Sequence, residues 1–140
     1  MNYRLIACDM DGTLLNSENK ITTRTVEAIK AAKEKGVVFT LSTGRPVQGV
    51  GKYIDLLDLD CPVITYNGAV IVHSRSGEII FSQNMDNDDA RTVYNEAVKR
   101  DTMFLVWSIP GRTFFANSMF ENMALYGIMT PFENPEVPDV

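Results

Sequence analysis

The sequence predicts an α/β fold organised around a parallel sheet, and a few features of its 140 residues lead there. Strand-length apolar runs end at Asp9, Ser42 and Asn67, and each breaks abruptly into polar residues. The segments between them carry helix patterning rather than tight turns. Strand–helix–strand alternation of this kind belongs to parallel strands joined by right-handed crossovers. Composition fits: 45% of residues are hydrophobic and 22% charged, as in an ordinary folded domain.

The first strand is Arg4 to Cys8, a continuous apolar run suited to burial on both faces. Residues Gly12 to Lys20 are then polar and turn-rich apart from Leu14 and Leu15. Thr22 or Thr23 caps a helix that runs to about Lys35. Val26, Ile29 and Ala32 form its buried stripe, and Gly36 stops it. Val37 to Leu41 is the second buried strand, ending in Ser42-Thr43-Gly44-Arg45. Pro46 suits a first helical turn, and the pattern extends that helix to about Leu57. Pro62 to Tyr66 is the third strand, ending in Asn67-Gly68. Ligand sites in open α/β sheets lie at the carboxyl ends of the strands, so Asp9, Thr43 and Asn67 are expected at one edge.

After residue 68 the pattern changes. Ala69 to Val72 and Glu78 to Phe81 read as a hairpin around His73-Ser74-Arg75-Ser76-Gly77, with His73 as a solvated turn residue. Asp86, Asp88 and Asp89 open a helix to about Lys99, where their charge complements the helix dipole. Phe104 to Ser108 and Thr113 to Ala116 read as a second hairpin turning at Pro110-Gly111, with Trp107 packed. A short helix is expected over Glu121 to Tyr126, with Met119, Met123, Met129, Phe114, Phe115 and Phe120 as core. The proline-rich stretch from Pro131 to Val140 offers no central strand. These patterns divide the chain into residues 1–83 and 84–140.

Several function classes are disfavoured at this level. Lys plus Arg total 13 and Asp plus Glu 18, a net charge of −5 with no basic cluster, so no footprint for nucleic acid or anionic membrane exists. No apolar run approaches the ~20 residues that span a bilayer, and the N-terminal run is broken by Asp9, unlike a secretory signal. Cys8 and Cys61 read as small buried hydrophobes of a reducing compartment, which makes the cytoplasm the expected location. Gly44, Gly49 and Gly51 lack the spacing of a dinucleotide-binding fingerprint.

The chemistry-bearing segment is Asp9-Met10-Asp11-Gly12-Thr13-Leu14-Leu15. Two carboxylates two residues apart at a strand end can both face a site if the chain stays extended between them. One attacking phosphorus would form an acyl-phosphate; the other would protonate the leaving oxygen and later deprotonate water. A hard cation such as Mg²⁺ would offset the accumulated charge, and Gly12 would let the chain turn sharply away. These residues resemble the first motif of the haloacid dehalogenase-like phosphohydrolases, and Leu41-Ser42-Thr43-Gly44-Arg45-Pro46 resembles the second. With Ile64 to Ile71, the chain is similar to the N-terminal half of the Cof-type sugar-phosphatase branch. The resemblance implies a partial Rossmann-like core over residues 1–83 followed by the start of an α/β cap. It implies Asp9 as nucleophile, Asp11 as general acid/base, Thr43 with Gly44 at the phosphoryl group, and Arg45 and Asn67 lining the substrate pocket. It also implies Mg²⁺ held by the Asp9 carboxylate and the Asp11 backbone carbonyl, and a small phosphomonoester such as a sugar phosphate as substrate.

The family's later motifs, a lysine and a Gly-Asp acidic pair, have no counterpart here. Lys52 and Lys99 are the only lysines after the second motif, and both are expected on helix surfaces. A fragment, a natural truncation or an assembly completed between chains would each explain this. The chain alone is expected to be weak or inactive, and an exposed half-core surface would favour association between copies. A non-catalytic phosphate- or metal-binding role is the alternative. A receiver domain is disfavoured, because its third strand would end in the phosphoacceptor Asp and this one ends in Tyr66-Asn67-Gly68.

Overall fold

The computed structural model describes residues 3–102 together with the strand backbones at 105–108 and 113–116. Its first unit, Met1–Gln83, is built on β2 (Val38–Leu41), whose consecutive residues Phe39, Thr40 and Leu41 are all buried. Neighbouring side chains on a strand point to opposite faces, so burial of three in a row means both faces of β2 are covered. β1 (Leu5–Cys8) runs parallel to β2, in register from Leu5 opposite Val38 to Cys8 opposite Leu41. On the other side of β2 lies β3 (Pro62–Thr65), joined to it by a parallel bridge between Ser42 and Ile64. The Thr40 hydroxyl donates to the Pro62 carbonyl across the same gap. β4 (Val70–His73) and β5 (Ile79–Ser82) then add antiparallel neighbours in the order β3-β4-β5.

The helices follow the punctuation of the sequence. α1 (Thr23–Glu34) begins where the Thr22 hydroxyl oxygen accepts from the Thr25 N–H at 3.2 Å. It ends at Gly36, with φ +80°, where Gly36 N–H donates to the Lys33 carbonyl and Val37 N–H to the Ala32 carbonyl. That pair of bonds satisfies the last carbonyls of the helix, and the left-handed backbone it needs suits glycine. α1 packs against β2 and contributes Ile29 to a core shared with Met10, Leu41, Val50, Ile54 and Val63.

Some expectations are corrected. β1 is not covered on both faces: Leu5 is 59% and Ile6 39% exposed, because β1 is an edge strand among the described residues. The helix expected over Pro46 to Leu57 is broken into a 3₁₀ turn, Val47–Gly49, and α2 (Gly51–Leu56). Gly49 and Gly51 flank the break, where helix propensity is poorest, and Pro46 precedes the turn with extended backbone. His73 is the last residue of β4 rather than a free turn residue; its Nε2 lies 3.7 Å from Asp60 Oδ1.

The second unit, Asn84–Val140, contains α3 (Asn87–Lys99), capped by the Asp86 carboxylate accepting from the Asp88 N–H at 2.9 Å. It also contains an antiparallel pair, β6 (Leu105–Ser108) and β7 (Thr113–Ala116). The expected helix over 121–126, the Pro110-Gly111 turn, the methionine and phenylalanine cluster, the Trp107 side chain and the tail from Pro131 lie outside the described residues. Among the described residues, no helix is long and apolar enough to cross a membrane.

Burial separates positions that the sequence makes look alike. Leu41→Ala, at a fully buried site, is expected to cost about 2–5 kcal/mol in urea unfolding. Leu5→Thr on β1 is expected to stay within about 0.5 kcal/mol, because most of that side chain already meets water.

Candidate active site

The site is assembled from the loops that leave the carboxyl ends of β1, β2 and β3. Asp9 has an extended backbone, with φ −70° and ψ 155°. Beyond it the chain makes a wide turn closed by Leu14 N–H donating to the Asp9 carbonyl and Leu15 N–H to the Met10 carbonyl. Met10 is fully buried while Asp9 and Asp11 are exposed, so the alternation sinks the apolar residue and leaves both carboxylates outside. Gly12, at φ +76°, turns the chain where a side chain would be strained. The Thr13 hydroxyl donates to Asp9 Oδ2 at 3.3 Å.

Thr43 is buried, and its N–H donates to the Ile64 carbonyl. Its hydroxyl oxygen accepts from the Arg45 N–H at 3.1 Å, which curls the loop back over β2. The loop after β3 grips this one: Asn67 N–H donates to the Thr43 carbonyl and Tyr66 N–H to the Arg45 carbonyl. To do so, Tyr66, Asn67 and Gly68 all take positive φ, at +51°, +56° and +95°. Asparagine and glycine tolerate that region, whereas a tyrosine there is an outlier costing about 1–3 kcal/mol. Gly44 is required by proximity: a Cβ there would lie 2.8 Å from Asn67 Oδ1.

Arg45 reaches the first loop. Its Nε donates to Asp11 Oδ2 at 2.8 Å and its Nη2 to Asp11 Oδ1 at 2.6 Å, a bidentate pair. These hydrogen bonds hold the Asp11 carboxyl below its ordinary pKa, with partial burial opposing them. Burial, and secondarily the Asp9 charge, raises the Cys8 thiol, which keeps it protonated beside the site. Both cysteines are free, with Cys61 buried and Cys8 partly packed against the core.

The structure therefore brings Asp9, Asp11 and Gly12 together on one loop, links Asp11 to Arg45, and clasps Thr43, Gly44 and Arg45 with Asn67. Thr13, Tyr53 and Tyr66 were not singled out by the sequence reading. Thr13 lies within the quoted motif, four residues after Asp9. Tyr53 and Tyr66 act through a ring contact and an unusual backbone, for which periodicity holds no signal.

The Asp11 shift gives a pH dependence. A carboxyl whose folded pKa is depressed adds stability that is fully present above its unfolded value, about 4, and is lost as pH falls through the lower folded value. The stability difference between the parent and Asp11→Asn is therefore expected to be constant near neutrality and to shrink as pH falls below about 4. Half of the Asp11 side chain is exposed, so the full difference is about 1 kcal/mol or less. Gly44→Ala is expected to cost about 1 kcal/mol by displacing the Asn67 amide. Asn67→Gly, which keeps the left-handed backbone, should remove that cost, and a double-mutant cycle in urea reads the coupling.

The chain is similar to known proteins. A family model described as haloacid dehalogenase-like hydrolase matches residues 6–134. The chain is 40% identical over 103 residues to the Bacillus subtilis protein YxeH, covering 71% of this chain and 38% of that one. It is 35% identical to the B. subtilis 5-amino-6-(5-phospho-D-ribitylamino)uracil phosphatase YwtE, covering 75% of this chain and 36% of that one. In fold it matches a haloacid dehalogenase-like hydrolase from Bacteroides thetaiotaomicron, with a TM-score of 0.73 and 25% identity over 86% of this chain and 46% of that one. The chain thus spans well under half the length of the curated relatives it matches. With the family model covering nearly all of it, the chain belongs to the haloacid dehalogenase-like hydrolase family, in the Cof-type branch.

Proposed function

We propose that this chain carries the nucleophile of a Mg²⁺-dependent phosphomonoester hydrolase that works through an aspartyl-phosphate. Residues 1–83 form the first part of its core domain and residues 84–140 the start of an α/β cap. The observation that carries this reading is the exposed Asp9 carboxylate beside an Asp11 whose two oxygens are fixed by Arg45. An Asp9 oxygen attacks phosphorus as the bond to the leaving oxygen breaks, and Asp11 supplies the proton that oxygen takes. Asp11 then accepts a proton from the water that cleaves the acyl-phosphate, releasing phosphate and restoring Asp9. The Arg45 fork favours ionised Asp11, which suits the second step. The first step needs a protonated Asp11, which the same fork opposes. Thr43 and the Gly44 loop receive the phosphoryl group, with Asn67 behind them.

The donor set fits a hard cation. Asp9 offers a carboxylate held by one hydroxyl donor, and Asp11 commits both side-chain oxygens to Arg45, leaving its backbone carbonyl as its contribution. Among the described residues no group of three or more His, Cys, Asp or Glu side chains could hold a metal. Oxygen donors this few suit Mg²⁺, which retains several waters. When bound it would neutralise charge between phosphate and carboxylate. The YwtE name includes a small phosphorylated metabolite, which supports a substrate of that class, such as a sugar phosphate.

Lys52 lies against the Tyr53 ring and Lys99 bonds to Glu96, and neither is assigned in this reading as the phosphoryl-neutralising charge. Losing such a contact costs about 10²–10³ in rate, so the chain alone is expected to hydrolyse p-nitrophenyl phosphate weakly, and only with Mg²⁺. Asp9→Asn should bring the rate to the buffer blank. Beryllofluoride, a phosphoryl mimic, should give a ¹⁹F adduct signal with the parent and none with Asp9→Asn. An adduct or turnover that survives this substitution would remove Asp9 as nucleophile.

A further inference from the structure

Tyr53, on α2, is 3% exposed and belongs to the core, yet both of its ends are engaged at the site. Its ring centroid lies 5.5 Å from the Arg45 guanidinium carbon. Its hydroxyl donates to the Asn19 carbonyl at 3.1 Å, on the same loop that carries Asp9 and Asp11. Asn19 is itself fixed, with its N–H donating to the Asn16 carbonyl and its φ at +56°. The contacts therefore close a circuit: Asp11 to Arg45, Arg45 to the Tyr53 ring, the Tyr53 hydroxyl to Asn19, and the loop backbone back to Asp11.

The circuit matters because the Asp11 side of the ion pair is weak by itself. The Asp11 side chain is 55% exposed, whereas that of Arg45 is 12% exposed. An ion pair open to water holds a long, flexible side chain poorly. An aromatic face attracts the guanidinium and excludes water from one side of it, which restricts its rotamers before the carboxylate is met. Lys52 also reaches this ring, at 4.8 Å, but it is Arg45 that continues to a site carboxylate.

We propose that Tyr53 is a positioning residue: its ring holds the Arg45 guanidinium, and its hydroxyl holds the Asp9–Asn19 loop, so that Arg45 and Asp11 meet in one geometry. The importance of that geometry for turnover rests on Asp11 being the acid/base of the proposed reaction. The contact network does not depend on that reading. Tyr53→Phe keeps the ring and loses the hydroxyl, with its bond to Asn19 and its polar interaction with Arg45, whereas Tyr53→Leu removes the ring as well.

The test is exchange of the Arg45 Nε–H proton, followed by ¹⁵N NMR on the whole chain in mildly acidic buffer, with backbone amides of β2 and β3 as the folding control. Tyr53→Phe is expected to lose less Arg45 protection than Tyr53→Leu, because the ring contact remains. Tyr53→Leu is expected to speed its exchange by about three- to tenfold, the scale of one cation–π contact, with the β2 and β3 amides unchanged. Asp11→Asn should also release Arg45. Protection retained in Tyr53→Leu would overturn the proposal. If Tyr53→Leu does not fold, pentafluorophenylalanine at position 53 keeps the shape and reverses the ring quadrupole, and retained protection there counts equally against it. Release of Arg45 in Tyr53→Leu, together with an adduct or turnover that survives Asp9→Asn, would uphold the positioning role and remove Asp9 as nucleophile, so the two can fail separately.

Discussion

Between β2 and β3 the strands meet through a parallel bridge, Ser42 with Ile64, and the loops that carry Thr43, Arg45 and Asn67 start from there. The next residue, Thr43, is buried and donates to the Ile64 carbonyl, so the β2 loop has little freedom at its root. Asn67 and Tyr66 bond to the Thr43 and Arg45 carbonyls and fix the tip. Arg45 then carries that rigidity across to Asp11. A change that shifted β3 by one residue would exchange its inward and outward faces and uncouple both loops from the carboxylate loop.

Rigidity here comes with local strain, since a tyrosine sits in the left-handed region beside the site. The backbone bonds around it and the close packing of Gly44 against Asn67 over-determine that conformation. The carboxylates, in contrast, are left exposed on a loop whose apolar residues Met10, Leu14 and Leu15 anchor it in the core. The result is a set of charged groups on a fixed base, an arrangement that lets polar groups meet a ligand without reorganising.

Much of this was legible in the sequence where local rules govern. Thr22 and Gly36 bound α1 as their capping chemistry requires, and Asp86 caps α3. The convergence of the β1, β2 and β3 ends followed from strand–helix alternation. Other features were hidden for stated reasons. An apolar run such as Leu5–Cys8 looks the same whether a strand is central or at an edge, because coverage is set by neighbours elsewhere in the chain. The break between Val47–Gly49 and Gly51–Leu56 lay in two glycines that periodicity averages away. The Asp11–Arg45 pair joins residues 34 apart, and the Tyr53 contacts depend on a rotamer. The sequence pointed to both ends of the first contact and to one end of the ring contact, but to neither pairing.

The reversal at Tyr66–Gly68 also settles the direction in which the chain travels afterwards. β3 arrives at the site edge, β4 leaves it, and β5 returns, with Gln83 N–H donating to the Ala69 carbonyl beside the turn. The hairpin tip at Ser74–Gly77 consequently lies at the far end of the sheet, where Arg75 pairs with Asp58 and Asp60. Lengthening that tip, for a fluorophore or an affinity handle, would leave the edge with the candidate site undisturbed. An equal insertion beyond Ser82 would fall next to it.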